Sequence, residues 1–143
     1  MRPIRLIGWA AALIATGAVT GNAVGADARA KADVACRPAE AKLHYDCTIK
    51  LMDAATGEPL TGVDLTVNAE MPSMPMAHNV RPVKATAAAD PGTYQAQLEL
   101  EMHGVWALRL DVSGRVRDRV VKPLRFEDNG VTDVSTAPSH HQH

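Results

Sequence analysis

Between Leu43 and Leu51 every second residue is apolar. Leu43, Tyr45, Cys47, Ile49 and Leu51 alternate with His44, Asp46, Thr48 and Lys50. Successive side chains of a β-strand point to opposite faces, so a period of two predicts a half-buried strand. The same alternation runs through Val63-Asp64-Leu65-Thr66-Val67-Asn68-Ala69. It returns where Tyr94, Ala96, Leu98, Leu100 and Met102 share one face and Gln95, Gln97, Glu99 and Glu101 the other. Trp106, Leu108, Leu110 and Val112 make the next inward row. A weaker strand is expected over 83–89. A last one is expected over 116–126, broken at Pro123, which has no N–H to give to a ladder. Turn residues separate these runs at 53–59, at Asp90-Pro91-Gly92 and at Ser113-Gly114. No window sustains a helical period. About seven short strands with regular turns predict an all-β fold, an immunoglobulin-like antiparallel β-sandwich. The folded domain is placed at residues 43–126. Residues 27–42, Ala-rich and charged, read as a flexible leader, and 127–143 as a disordered tail.

The first 26 residues have a different pattern. Arg2 and Arg5 precede an apolar run from Leu6 to about Val19, and small residues follow in Val24-Gly25-Ala26. Charged start, apolar middle and small-residue end make a secretory signal peptide over 1–26, with Ala26-Asp27-Ala28 as a second cleavage point. A membrane anchor is the competing reading. The run is shorter than the ~20 residues a spanning helix needs, and Gly8 and Gly17 interrupt it. The mature protein is therefore expected in the periplasm, without stable membrane insertion. Cys36 lies too far beyond the run for lipid attachment.

Removal of Arg2 and Arg5 with the signal leaves 13 basic against 16 acidic residues, a net charge of −3. That balance gives no electrostatic case for a nucleic-acid partner. Arg109, Arg115, Arg117, Arg119, Lys122 and Arg125 gather late in the chain. They read as a solvated strand face that discourages edge pairing, or as a surface for an anionic partner. In an oxidising compartment two cysteines default to a disulfide, Cys36–Cys47, worth roughly 3 kcal/mol for so short a loop. A thiolate metal site or a redox pair is the alternative, although the spacing is not CxxC.

The segment with the most distinctive chemistry is Glu70-Met71-Pro72-Ser73-Met74-Pro75-Met76-Ala77-His78-Asn79. It holds three of the chain's 6 methionines, and Met102-His103 supplies another methionine beside a histidine. Thioether sulfur is a soft neutral ligand suited to Cu(I) and Ag(I), and imidazole can also hold Cu(II). Unlike thiolates, thioethers are not consumed as disulfides. In an extended chain Met74, Met76 and His78 would point the same way, a three-ligand platform that Met102 and His103 could complete. Met71 and Met102 also continue inward rows, so packing at the end of the sandwich is an equal reading for both. His103, on the opposite parity, is expected to face solvent. Trp106 reads as core, with a place over a bound cation as the alternative. His140, His141 and His143 at the C-terminus form either a native capture tail or an expression tag.

The series Met71-Pro72-x-Met74, His78, Pro91-Gly92-x-Tyr94 and Met102-x-Gly104-x-Trp106 resembles the YtkA-like domain and the exported domain of FixH-like proteins. The resemblance spans about residues 43–126. It implies an immunoglobulin-like sandwich outside the cytoplasm and a setting of copper handling, with Met71, Met74, His78 and Met102 as the positions to carry over. A copper-transport or oxidase-assembly protein is the partner it implies.

No serine, cysteine or acid stands in a recognisable catalytic motif, so an enzyme is not expected. The leading expectation is a periplasmic Cu(I) chaperone or sequestration factor, monomeric or weakly dimeric. Its metal would be held by Met74, Met76 and His78, with Met71, Met102 and His103 as completions. The alternative is a metal-free interaction module or an accessory factor of a membrane complex, with the Met-Pro loop as an adaptable apolar contact.

Overall fold

The computed structural model describes residues 28–135, apart from Ala77 and Asn79. The expected signal peptide and the histidines of the C-terminal tail lie outside the described residues. Among the described residues nine strands run in order: β1 (Ala30–Pro38), β2 (His44–Asp53), β3 (Asp64–Glu70), β4 (Val83–Lys84), β5 (Thr86–Ala87), β6 (Thr93–Glu99), β7 (Gly104–Ser113), β8 (Asp118–Glu127) and β9 (Gly130–Asp133). They form two antiparallel sheets, ordered β1-β2-β6-β5 and β4-β3-β7-β8-β9. The first follows the A-B-E-D order of the immunoglobulin fold. The second follows C′-C-F-G, with β9 added at its edge.

The alternation read from the sequence sets the core. Tyr45, Cys47, Ile49 and Leu51 from β2 face Leu65 and Val67 from β3 and Leu108, Leu110 and Val112 from β7 across the interior. Trp106, Phe126 and Ile49 are fully buried. Phe126 packs edge-on to Tyr45, with ring centroids 4.9 Å apart, an arrangement aromatic quadrupoles favour.

Four expectations change. The weak strand over 83–89 is two short strands in different sheets. Buried Ala85 is the crossing point, and its N–H donates to the Leu65 carbonyl at 2.9 Å. The supposed leader contains β1, paired with β2 from Ala30↔Asp53 to Pro38↔Tyr45. Its inward row is Ala30, Ala32, Val34 and Cys36. The period of two is present, but alanine is a poor strand former and hides it. The supposed tail contains β9, joined to β8 by the two-residue turn Asp128-Asn129 and packed on the core through Val131. β8 also runs unbroken through Pro123. The Pro123 carbonyl accepts from the Val134 N–H at 3.1 Å, just past the end of β9, so the absent N–H falls where the ladder stops.

The Cys36–Cys47 disulfide forms, between directly paired residues of β1 and β2 with Cα atoms 4.0 Å apart. It staples an edge strand whose inward side chains are too small to hold it by burial alone. Of the late basic residues, Arg109 and Arg119 are engaged on the sheet face. Arg109 pairs with Glu70 and Asp111, and Arg119 with Asp111 at 2.8 Å. Burial works to raise the Asp111 carboxyl, but hydrogen bonds from Arg119 and Arg109, with their charges, outweigh it and hold it below the usual range. Around Asp111 the basic residues of this face are neutralised by acids of the same sheet.

Candidate functional site

The site lies at the end of the sandwich where the β3–β4 connection (71–82) crosses the turn between β6 and β7 (100–103). β3 delivers Met71 inward. It is buried at 6% exposure, and its methyl carbon lies 3.2 Å from where a side chain on Gly104 would begin. Gly104 adopts φ 139°, a backbone angle that side chains disfavour, so glycine serves both the turn and the close approach of Met71.

Past Met71 the chain is turned rather than extended. The Met74 N–H donates to the Met71 carbonyl at 3.0 Å, and Met76 takes φ 68°. The alternation that would align Met74, Met76 and His78 therefore does not hold here. The thioethers differ in exposure instead: Met71 6%, Met74 39%, Met102 40% and Met76 101%. Met76 is thus fully in solvent. Met102 leaves the inward row of β6, because the strand ends at Glu99 and the turn swings its side chain outward.

His78 is brought back onto the end of the core. Its side chain is only 12% exposed. The ring lies against Trp106, centroids 4.9 Å apart and planes tilted by 57°. Its Nδ1 lies 2.5 Å from Oε2 of Glu101, and its Nε2 is closed to solvent and has no hydrogen-bond partner. Trp106 is fully buried as expected of core, but its indole N–H reaches up to the Met102 carbonyl at 3.1 Å. That bond pins the backbone carrying the Met102 thioether.

His103 was expected in solvent and is half-buried instead. Its Nε2 is enclosed and lies 3.0 Å from Asp128 Oδ1, without the alignment of a hydrogen bond. The ring turns toward the β8–β9 turn, where the Tyr45 hydroxyl donates to the Glu127 carbonyl at 3.2 Å. Burial, and then the Asp128 charge, raise the Tyr45 phenol above its ordinary value.

The structure thus gathers Met71, His78 and the Met102 backbone around Trp106 and Gly104. It leaves Met74 exposed on the turn after Met71, holds Met76 fully in solvent and gives His103 to another corner. Sequence reasoning missed Glu101, which strand parity assigned to the outer face. The turn after Leu100 brings its carboxylate to His78. Buried nitrogen is costly to leave unpaired, so Nε2 of His78 is the open donor of this group, and the methionines of the same two segments carry soft sulfur donors. Among the described residues no three His, Cys, Asp or Glu side chains cluster as a metal site.

Among the described residues no helix is long and apolar enough to cross a membrane. The disulfide fits an extracellular or periplasmic protein. No curated protein and no solved structure gave a match. The family model described as YtkA-like matches residues 30–111, more than half of the chain and including β1, the β3–β4 loop and the β6–β7 turn. With the sandwich topology and that match together, the chain belongs to the YtkA-like family.

Proposed function

We propose that this is a periplasmic soft-metal-binding protein, exported by a cleaved signal peptide over 1–26, that carries or sequesters Cu(I) at the end of its sandwich. The observation that supports this most is the enclosed Nε2 of His78. It is a nitrogen donor without a hydrogen-bond partner, and the two segments that meet there through His78 and Glu101 also carry Met71, Met74 and Met102. An imidazole with Met102 and Met74 suits Cu(I), and by the same softness Ag(I). Cu(II) would draw on the imidazole alone. Met71 lies beneath and can join only by leaving its packing on Gly104. The site does binding rather than catalysis, and a copper-transport or oxidase-assembly protein is the partner proposed for it.

The test is a competitive Cu(I) titration against a chromogenic chelator. Among the described residues every strand and the buried core lie within 30–133, so the protein can begin at Asp27, with His140, His141 and His143 changed to Ala to silence the tail. Trp106 is then the only tryptophan, and its tilted contact with His78 makes its emission a reporter of occupancy. We expect one equivalent bound at sub-micromolar affinity, lost in Met74→Leu, Met102→Leu with the fold intact. Binding no stronger than the chelator background overturns the reading.

A second reading draws on the exposure of the Met74, Met76 and Met102 side chains. Adaptable methionines serve protein contacts as well as metals. On this reading the protein is a metal-free accessory module, and the leucine variant keeps full partner binding.

A further inference from the structure

We propose that Glu101 is the positioning residue of this site: it locks the His78 imidazole with its proton on Nδ1, so that Nε2 is presented as the lone-pair donor to a soft monovalent ion. The proposal deepens the metal-binding reading and rests on it.

The assignment follows from what each group can donate. An ionised carboxylate only accepts, so with Glu101 Oε2 2.5 Å from Nδ1 the proton between them belongs to the ring nitrogen. In a neutral imidazole the other nitrogen then carries the lone pair. That nitrogen, Nε2, is enclosed and has no hydrogen-bond partner. The indole N–H of Trp106, the ring that His78 lies against, is committed to the Met102 carbonyl at 3.1 Å. A lone pair held out of water with no proton to meet it is a Lewis base prepared for a Lewis acid.

The ring is also held in place. Glu101 fixes it at one edge, and the tilted contact with Trp106 at 4.9 Å braces its face. Glu101 and Met102 are neighbours in the turn between β6 and β7, so one short segment supplies both the orienting carboxylate and a thioether. Carboxylate partners of this kind set the tautomer and raise the basicity of a ligating histidine, and their loss typically costs 10–100-fold in metal affinity.

The experiment compares wild type, Glu101→Ala, Glu101→Gln and Glu101→Asp in the Cu(I) competition, and reads the His78 tautomer in the metal-free proteins by long-range nitrogen–proton NMR. We expect wild type to show a protonated Nδ1 and a bare Nε2. Glu101→Ala should show a tautomer mixture and bind Cu(I) about 10–100-fold more weakly. Glu101→Gln keeps a neutral acceptor and should fall between, and Glu101→Asp should recover part of the loss. Unchanged melting and Trp106 emission in the metal-free variants would separate orientation of the ring from support of the fold. Wild type that binds Cu(I), with Glu101→Ala matching it within about threefold, overturns the proposal alone, as does a wild-type ring protonated at Nε2. A wild type that binds no Cu(I) overturns the metal reading and this proposal with it.

Discussion

Replacing Cys36 and Cys47 together with Ala tests how β1 is held. The bridge closes a loop with a sequence separation of 11, and the chain-entropy relation gives about 3 kcal/mol for a loop of that length. Cys47 is 2% exposed, so losing its buried sulfur adds roughly 1 kcal/mol. Little else compensates. The inward side chains of β1 are Ala30, Ala32 and Val34, and its tie to the opposite sheet is the Ala30 N–H to Asp118 bond at 2.8 Å. A total near 4 kcal/mol corresponds to a fall in Tm of about 12–16 °C for a domain of this size. Urea denaturation of the two proteins, each with its own slope, measures the difference, and hydrogen exchange locates it. The amides that β1 pairs with β2 should exchange much faster in the variant than those of β7. A loss below about 1 kcal/mol would refute the reasoning. It would mean that the unfolded chain keeps a β1–β2 hairpin without the bridge, or that the ladder alone secures the edge.

Other substitutions separate the remaining arguments. Gly92→Ala places a Cβ 2.7 Å from Pro59 Cβ and 2.8 Å from the Leu51 carbonyl oxygen at a φ of +74°. We expect a loss of about 3 kcal/mol by denaturant titration. The Asp111 carboxyl is depressed in the folded protein, so its stabilisation is complete above the unfolded value and is lost as pH falls through the folded one. Asp111→Asn should therefore be less stable than wild type at neutral pH, with the gap narrowing below about pH 4. His103→Ala should leave Cu(I) affinity within about threefold, because its Nε2 faces Asp128 rather than the Met71–His78 corner. A chain ended at Phe126 loses β9 and the packing of Val131, and should melt lower than one ended at Ser135.

The sequence by itself determined the parts of this protein that depend on nearest neighbours. Alternation at 43–51, 63–69, 94–100 and 106–112 gave the central strands and their inward faces, because the pleat has the same period as the pattern. The Asp90-Pro91-Gly92 turn was legible for the same reason, and Thr93 N–H closes it onto the Asp90 carbonyl at 3.1 Å. Family membership was likewise legible, in local motifs at their spacing. Edge strands were not. β1 is written in alanines and β9 in four mostly polar residues, and each is a strand only because a neighbouring strand offers it a ladder. The site was legible as a composition of methionine and histidine but not as an arrangement. Parity arguments assume an extended chain, and they fail where the backbone turns, at Met71–Met76 and after Leu100. Only the tertiary structure decided that Met76 points away, that His103 belongs to Asp128, and that Glu101 meets His78. Those outcomes depend on which loops cross at the end of the sandwich, and loop crossing is settled by how two sheets stack rather than by any local run of residues.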